Sequence, residues 1–221
     1  GPRGNQAGKG GTRVLDVTNP NNPQFWRSNP DEVITDLVQV GETVAVTSYV
    51  KTGEIHQEIW IYKAGDFISG SAPQIFTAPG GGYYGLTADK TNGRFFSIRY
   101  ESNPKISNTV LGNYTLPKAF LSVFAPGTGG VYTETRHELN LGGLSGSTFA
   151  AIQPFIVSSL NYNNGYLLAQ GKNPAGLGQS SPVDNNIKIW IFQNGQLKEL
   201  DTHGFIPEYY SGLLISSGAL Q

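Results

Sequence analysis

The chain has 221 residues, of which only 14% are charged, and its 15 basic residues nearly balance its 16 acidic ones. A surface of this kind has no long-range field that would attract nucleic acid or anionic lipid. No segment has the roughly 20 consecutive apolar residues that a membrane-spanning helix requires, so membrane insertion is not expected. Cysteine is absent, which excludes disulfides, thiolate nucleophiles and thiolate metal sites.

The first residues differ in composition from the rest of the chain. Residues 1–12 are rich in glycine and carry Arg3 and Lys9, so they cannot bury apolar area and are predicted to be a flexible linker or a tag-removal remnant. Methionine is absent even at position 1, which favours an excised piece of a larger protein or a processed chain. Residues 13–221 are predicted to form a single all-β domain, because the length suits one domain of this class.

From Arg13 onward, short runs of β-branched and aromatic residues alternate with Gly, Pro and Asn, a pattern typical of strands and turns. The stronger predicted strands are Arg13–Val17, Val33–Val40, Thr43–Val50, Glu58–Tyr62, Gln74–Thr77, Tyr83–Ala88, Arg94–Tyr100, Ala119–Phe124, Tyr132–Leu139, Ala150–Val157, Tyr166–Gln170, Ile187–Phe192 and Leu197–Leu200. The connections between these strands include Asn92-Gly93, Asn164-Gly165 and Asn194-Gly195, which favour tight hairpin turns. The residues from Gly171 to Asn186 are the longest predicted loop.

One segment also fits a helix. Asn29 would cap it and Pro30 would occupy its first position, and its apolar face would consist of Val33, Ile34, Leu37 and Val38. A short helix there is therefore an alternative to the strand Val33–Val40.

An internal repeat is the most informative pattern in the chain. The run from Glu58 to Phe67 returns as the run from Lys188 to Leu197, each with an Ile-Trp-Ile-aromatic core and a Gly-containing turn. Segments that begin near Arg13 and Ala119 are similar, but the spacings between the four are unequal, whereas propeller repeats hold a nearly constant period. The predicted fold is therefore an antiparallel β-barrel or sandwich with Gly/Asn/Pro-rich loops, with a small β-propeller as the alternative.

Two short motifs contain residue types that are common in ligand-binding sites. Gly80, Gly82 and Gly85 match the spacing of a dinucleotide-binding loop, but a strand and not a helix is predicted to follow them, so no nucleotide site is expected. In Glu134–Glu138, strand alternation puts Glu134, Arg136 and Glu138 on one face and His137 on the other. This predicts a solvated ion-pair face, and no metal site or other cofactor site is expected.

No catalytic constellation is recognisable. The residues around Ser145 only approximate Gly-x-Ser-x-Gly and lack a strand-turn-helix context, so no nucleophile is predicted. A pair of carboxylates could still meet in space, which leaves a glycoside-active enzyme as a third hypothesis. The expectation is a protein without enzymatic activity.

Aromatic residues near predicted turns are the candidate contact residues. Tyrosine combines rigid apolar area with a hydroxyl, and together with asparagine it is typical of recognition loops. The predicted receptor-binding residues are Trp26, Tyr83, Tyr84, Tyr162, Asn163, Tyr209 and Tyr210. Accordingly, Tyr83→Ala or Tyr209→Ala is expected to lower binding to cells.

The glycine-rich lead Gly1–Gly11, followed by short strands and neutral polar loops over the whole chain, resembles the protruding capsid spike domain of a small non-enveloped virus, of the astrovirus kind. The resemblance implies a dimeric, non-enzymatic β-barrel on the virion surface. It also implies that exposed loops contact a host-cell protein or glycan and antibodies.

The run Arg13–Pro23 and the two Ile-Trp-Ile segments resemble extracellular propeller repeats, in which a Val-Asp strand precedes Asn-Pro. This second resemblance implies a secreted bacterial propeller that acts as an interaction module.

Overall fold

The computed structural model describes residues 12–16, 19–22, 24–29, 33–50, 56–101, 118–139, 156–163, 166–172 and 188–200. The strands are β1 (Thr12–Asp16), β2 (Gln24–Asn29), β3 (Val33–Val40), β4 (Thr43–Val50), β5 (His56–Lys63), β6 (Gln74–Phe76), β7 (Gly82–Asp89), β8 (Arg94–Tyr100), β9 (Ala119–Pro126), β10 (Tyr132–Leu139), β11 (Ile156–Asn163), β12 (Tyr166–Lys172), β13 (Lys188–Gln193) and β14 (Gln196–Leu200). Helix α1 (Ala64–Ser69) and a 3-10 turn at Thr128–Gly130 complete the described elements.

The strands form three four-stranded antiparallel sheets and one hairpin. The first sheet has the order β3-β4-β5-β6, the second β7-β8-β9-β10 and the third β11-β12-β13-β14, while β1 pairs with β2 in the N-terminal hairpin. Each sheet is a meander, because neighbouring strands in space are also neighbours in the chain. The predicted all-β antiparallel class is therefore confirmed.

The sheets stack face to face. One hydrophobic cluster joins the second sheet to the third and includes Phe96, Leu121, Leu167, Trp190 and Phe192. Another cluster joins the first sheet to the second. Such stacking buries both faces of the second sheet, as in a sandwich, and the described strands do not close into a barrel.

The first strands of the three sheets lie next to one another, since β7 contacts both β3 and β11. Consecutive four-stranded meanders with neighbouring first strands are also the arrangement of propeller blades, so the connectivity fits the propeller alternative. The repeated Ile-Trp-Ile segments fall on β5 and β13, the third strands of the first and third sheets. Ala119 begins β9, the third strand of the second sheet. The unequal spacing of the repeat therefore arises in the connections between strands.

The turn chemistry follows the sequence closely. At the β13–β14 turn, Asn194 and Gly195 both have positive φ, 51° and 76°, as a two-residue hairpin turn of this hand requires. Gly93 also has positive φ, in the turn between β7 and β8. The Asn164-Gly165 turn lies outside the described residues.

Several sequence predictions need correction. Val33–Val40 is strand β3, so the helix alternative is wrong, because the pairing of this run with β4 outweighs its weak helical periodicity. Helix α1 was not predicted, and it begins in the Gly-containing turn of the repeat. Strand β1 begins at Thr12, the last residue of the predicted linker. The predicted loop at residues 171–186 overlaps the end of β12, because this strand extends to Lys172. Residues 173–187 lie outside the described part of the chain.

Candidate functional site

The two ends of the stacked sheets differ in how the strands are connected. At one end, the turn end, short connections at residues 41–42, 90–93, 127–131 and 194–195 join neighbouring strands, together with residues 64–73, which contain α1. At the other end, residues 77–81 join β6 to β7, and residues 51–55, 102–117, 140–155 and 173–187, which lie outside the described part of the chain, connect the remaining strand ends; three of these segments span 15 or 16 residues. We call this the long-connection end.

Three contacts show that the sheets stack with these ends aligned. The Asp36 Oδ2 atom on β3 accepts a hydrogen bond of 3.0 Å from Leu86 N on β7. Gly82 at the start of β7 lies beside Gln57 at the start of β5. The Gly85 backbone on β7 approaches the Leu160 side chain on β11. These pairs join equivalent heights of the sheets, so the corresponding strand ends of the three sheets lie on the same side of the molecule.

The first strands carry register shifts at equivalent places. The pairing of β3 shifts between Ile34 and Asp36, that of β7 between Tyr84 and Thr87, and that of β11 between Val157 and Ser159. A bulge frees backbone groups from the ladder and twists the strand. In β7 it frees the amide of Leu86 for the Asp36 carboxylate, which ties the first two sheets together.

A buried polar network lies between the first and second sheets. Arg99 Nη1 donates to the Tyr83 hydroxyl at 2.7 Å and to the Thr77 carbonyl at 3.0 Å, and it lies 3.6 Å from Glu134 Oε2. The Arg99 side chain is 9% exposed and the Glu134 side chain 8%. Charged groups are seldom buried to this degree unless they are paired and hydrogen-bonded.

Glu134 is the common acceptor of this network. Its Oε1 accepts from Ser122 Oγ at 2.7 Å and from the Tyr83 hydroxyl at 3.1 Å, while its Oε2 accepts from Arg136 Nη2 at 2.8 Å. The ion pair predicted between Glu134 and Arg136 is confirmed. The prediction that this face is solvated is wrong for Glu134, because its side chain is buried and accepts hydrogen bonds from Ser122 and Tyr83.

Tyr83 is held in its neutral form. Burial raises the pKa of its hydroxyl, and the nearby negative charge of Glu134 raises that pKa further against the opposing effect of Arg99. A phenol in this state donates a hydrogen bond and is a poor nucleophile. Arg99 Nε is buried and has no hydrogen-bond partner among the described residues.

Gly80 and Gly81 precede strand β7 at the long-connection end. A Cβ on Gly81 would overlap the backbone carbonyl of Tyr100, so only glycine allows this approach. Gly81 N donates to Ala78 O at 2.8 Å, and β7 begins at Gly82. A strand follows the glycines, as predicted, and the nucleotide-loop geometry of strand, glycines and helix is not formed here.

A second polar cluster lies at the turn end. The Asp89 carboxylate accepts from Asn92 Nδ2 at 2.7 Å and from Arg94 Nη2 at 2.6 Å. Burial alone would raise the pKa of Asp89, but these hydrogen bonds and one from Tyr162 outweigh it and lower the pKa to about 2. This cluster fastens the β7–β8 turn to β11.

The predicted contact residues fall in different places. Tyr83 and Tyr84 are on β7, where Tyr83 is fully buried and Tyr84 packs edge-on against Tyr100. Tyr162 is on β11, where its ring stacks on Phe96. The predicted strand position of Tyr83 and Tyr84 is confirmed, whereas Tyr162 lies on a strand that was not predicted to reach it. Burial removes Tyr83 from the surface that a partner could touch.

The remaining predicted residues are less defined. The backbones of Trp26 and Asn163 belong to β2 and β11. Tyr209 and Tyr210 lie outside the described residues. The structure brings Tyr84 and Tyr162 to one hydrophobic cluster between the second and third sheets, and it separates them from Trp26, which is on the N-terminal hairpin.

Sequence reasoning missed Arg99, Asp89 and Asp36. Asp89 precedes a Lys-Thr-Asn-Gly-Arg turn, and an aspartate before such a turn often accepts hydrogen bonds from its backbone. Arg99 carried a weaker signal, a cation near the end of a strand whose other residues are mostly apolar. His137 was placed correctly on the face opposite Glu134, and its ring lies 4.8 Å from that of Phe192.

Comparisons with protein-family models, with curated proteins and with solved structures find no match. Within the described ranges, no group of three or more His, Cys, Asp or Glu residues could hold a metal ion. The same part of the chain contains no helix with the length and hydrophobicity needed to cross a membrane.

Proposed function

We propose that this chain is a non-enzymatic recognition domain whose long-connection end binds a partner on a cell surface. The observation that carries the proposal is the asymmetry of the two ends. Loops on a rigid scaffold commonly carry binding residues, and here the strand ends from which the long connections leave lie on one side of the stacked sheets.

The scaffold supports this function because it holds the strand ends in place. Arg99 and Gly80–Gly82 lie at the long-connection end of the second sheet, and Tyr83 links Arg99 by hydrogen bonds to Glu134 on β10. Preorganised loop ends lose less conformational entropy when they bind a partner.

The partner class follows from the neutral surface chemistry. With 14% charged residues, the chain offers amides, hydroxyls and aromatic rings for contacts with a protein or glycan. Host-cell attachment by a capsid spike on the virion surface, which would also display antibody epitopes, is the form of recognition that we favour. A homodimer is part of this proposal, and light scattering of the purified chain tests it.

A second candidate is a secreted bacterial interaction module of the propeller type. It is favoured by the three consecutive four-stranded meanders with neighbouring first strands. Repeats of the Val-Asp strand with Asn-Pro in adjoining sequence would support this candidate over the capsid spike.

The test compares charge reversals at the two ends. Glu101 and Lys118 are exposed at the long-connection end, and Glu42 and Lys90 are exposed at the turn end. Binding of the full chain to a panel of cultured cells and to a glycan array is measured for the variants Glu101→Lys and Lys118→Glu. Binding is expected to weaken about tenfold, which corresponds to about 1.4 kcal/mol.

The matched controls are Glu42→Lys and Lys90→Glu, which are expected to bind within about twofold of the unmodified chain. Equal losses at both ends would contradict the proposed surface. Turnover of any glycan on the array, followed by mass spectrometry, would contradict the non-enzymatic function.

A further inference from the structure

Phe120 is a half-buried aromatic residue at the long-connection end of the second sheet. It is the second residue of β9, and strand alternation puts its side chain on the same face as that of Phe124. Phe124 is fully buried, because the rings of Phe76 and Tyr83 pack against it at 4.8 and 5.8 Å. This face of β9 therefore carries a covered ring in its second half and a partly exposed ring near its start.

Charged side chains surround Phe120 on this face. The register of the sheet places Arg99 of β8 opposite Phe120 on one side and Glu138 of β10 opposite it on the other. A hydrogen bond of 3.0 Å from Glu101 N to Lys118 O continues the ladder by one pair and adds these two residues to the same face. Direct and diagonal neighbours in an antiparallel sheet are close enough for long side chains to touch. We give the name Phe120 platform to this ring and the exposed charged residues around it: Phe120, Glu101, Lys118, Arg136 and Glu138.

The buried polar network restrains one side of the platform. Arg136 Nη2 donates to Glu134 Oε2 at 2.8 Å, and Glu134 in turn accepts hydrogen bonds from Ser122 and Tyr83. The hydrogen bond to Glu134 raises the pKa of the Arg136 guanidinium, and the negative charge of Glu101 acts in the same direction. The Arg136 side chain is 47% exposed and yet tied to a buried carboxylate. A side chain that is already ordered loses less conformational entropy when it contacts a ligand.

The charges around Phe120 balance. Among the described residues, this face of the second sheet carries three cations and three anions, which are Arg99, Lys118 and Arg136, and Glu101, Glu134 and Glu138. A ligand with a net charge would therefore meet no excess of the opposite charge here. A group that both donates and accepts hydrogen bonds would find carboxylates and cations side by side. A hydroxyl is such a group.

These features fit a ligand that has an apolar face and several hydroxyls. A sugar ring has hydroxyls at its edge and C–H groups on its faces. The face of an aromatic ring carries partial negative charge and attracts such C–H groups. We infer that the Phe120 platform binds an uncharged saccharide, whose C–H face stacks on Phe120 while its hydroxyls bond to Glu138 and Arg136. This inference rests on the proposed function, because it names the ligand that the long-connection end recognises.

Binding of the full chain to a saccharide array tests the inference. The chain is displayed in many copies on beads, because contacts with single sugar rings are weak and multivalent display raises the avidity. The array carries neutral saccharides that end in galactose, glucose, mannose, fucose or an N-acetylhexosamine, and the same saccharides with sialic acid or sulfate added. We expect binding to at least one neutral saccharide, with no gain from the added charge. Binding to charged saccharides alone, or to none, would overturn the inference.

Two variants test the platform itself. Phe120→Leu keeps an apolar side chain but removes the ring, and Glu138→Ala removes an exposed acceptor; each should weaken saccharide binding about tenfold. Phe120→Tyr keeps the ring and should bind within about threefold of the unmodified chain. The matched control is Thr135→Ala, because Thr135 is exposed on the opposite face of β10, and it should bind like the unmodified chain.

Melting temperatures of the variants show whether each one is folded. Unchanged saccharide binding in folded Phe120→Leu or in Glu138→Ala would overturn the inference, as would an equal loss in Thr135→Ala. If Phe120→Leu does not fold, Glu138→Ala decides, since the Glu138 side chain is exposed.

Binding to cells separates this inference from the proposed function. Cells are treated with glycosidases that remove protein-linked glycans, or are grown with an inhibitor of glycolipid synthesis, and loss of binding in either case supports a saccharide and identifies its source. Binding that survives both treatments and Phe120→Leu, but is weakened by Glu101→Lys, would overturn the saccharide and leave a protein as the partner of this end. If none of the changes at this end weakens cell binding, the proposed function itself is wrong.

Discussion

The two faces of the second sheet are buried in different ways. The face toward the third sheet is apolar and aromatic, with Phe96, Leu121 and Trp190 in one cluster. The face toward the first sheet combines an apolar half with the network of Arg99, Tyr83 and Glu134. The stability of the first face depends on the apolar area and volume that are buried there. The stability of the second face depends on every polar group keeping its hydrogen-bond partner.

The largest effect is expected on the apolar face. Phe96 is fully buried, stacked on Tyr162 at 5.3 Å and edge-on to Phe192 at 6.1 Å. Phe96→Ala removes these contacts and leaves a cavity, so the free energy of unfolding should fall by about 3–5 kcal/mol. Urea unfolding followed by fluorescence measures the change.

The control for this prediction is Leu37→Ala on β3, because Leu37 is 46% exposed. It should change the free energy of unfolding by no more than about 0.5 kcal/mol. A loss below about 1 kcal/mol for Phe96→Ala would show that the second and third sheets are not held together at this point.

On the polar face, we expect the loss of a charge to lower the free energy of unfolding even when the volume of the side chain is unchanged. Glu134→Gln keeps the shape of the side chain but replaces an acceptor with a donor that faces Ser122, Tyr83 or Arg136. The buried Arg99 would lose its counter-charge, and the free energy of unfolding should fall by about 2–3 kcal/mol.

Glu138→Gln is the matched control, since Glu138 is on the same strand and face but is exposed. It should change the free energy of unfolding by less than about 0.5 kcal/mol. Equal effects of the two substitutions would mean that the network contributes nothing beyond a surface ion pair.

A smaller effect is expected at the turn end. The pKa of Asp89 is lowered from 3.8 to about 2 in the folded protein. Because the folded pKa lies below the unfolded one, the carboxylate stabilises the fold above about pH 4, and this contribution is lost as the pH falls toward 2. The loss is about 2 kcal/mol.

Urea unfolding at several pH values between 2 and 5 measures this loss. The variant Asp89→Asn should be less stable at pH 5 and should have a flatter stability curve below pH 4. If the free energy of unfolding depended on pH in the same way in both proteins, carboxylates other than Asp89 would be responsible for the acid sensitivity.

The smallest effect is expected from His137 on the apolar face. Burial against Phe192 lowers the pKa of this imidazole. A base with a lowered folded pKa stabilises the fold fully above its unfolded pKa of about 6.5, and this contribution fades as the pH falls below that value.

Melting temperatures at pH 5 and pH 8 test this prediction. The difference between the melting temperatures at pH 5 and pH 8 should be smaller for His137→Phe than for the unmodified chain. An unchanged pH dependence in the variant would show that the imidazole is as well solvated in the folded chain as in the unfolded one.

Local sequence patterns determined the all-β class, most strand positions and the tight turns. Alternation over Val33–Val40 and Tyr132–Leu139 marked β3 and β10, and Asn194-Gly195 marked a hairpin turn, because side-chain period and positive φ are properties of neighbouring residues. The Ile-Trp-Ile repeat identified two equivalent strands. Helix α1 and strand β2 were missed, since α1 depends on the packing of Phe67 and β2 on its pairing with β1.

Only the tertiary structure decided which residues meet. Arg99 and Glu134 are far apart in the chain, and nothing in the local pattern indicated that Tyr83 would share their hydrogen bonds. Tyr83 and Tyr84 followed a glycine run and were therefore predicted to be exposed, but β7 lies between two other sheets and buries the first of them. Strand formation depends on neighbouring residues, whereas burial depends on which sheets stack, and that choice is made by contacts between distant segments.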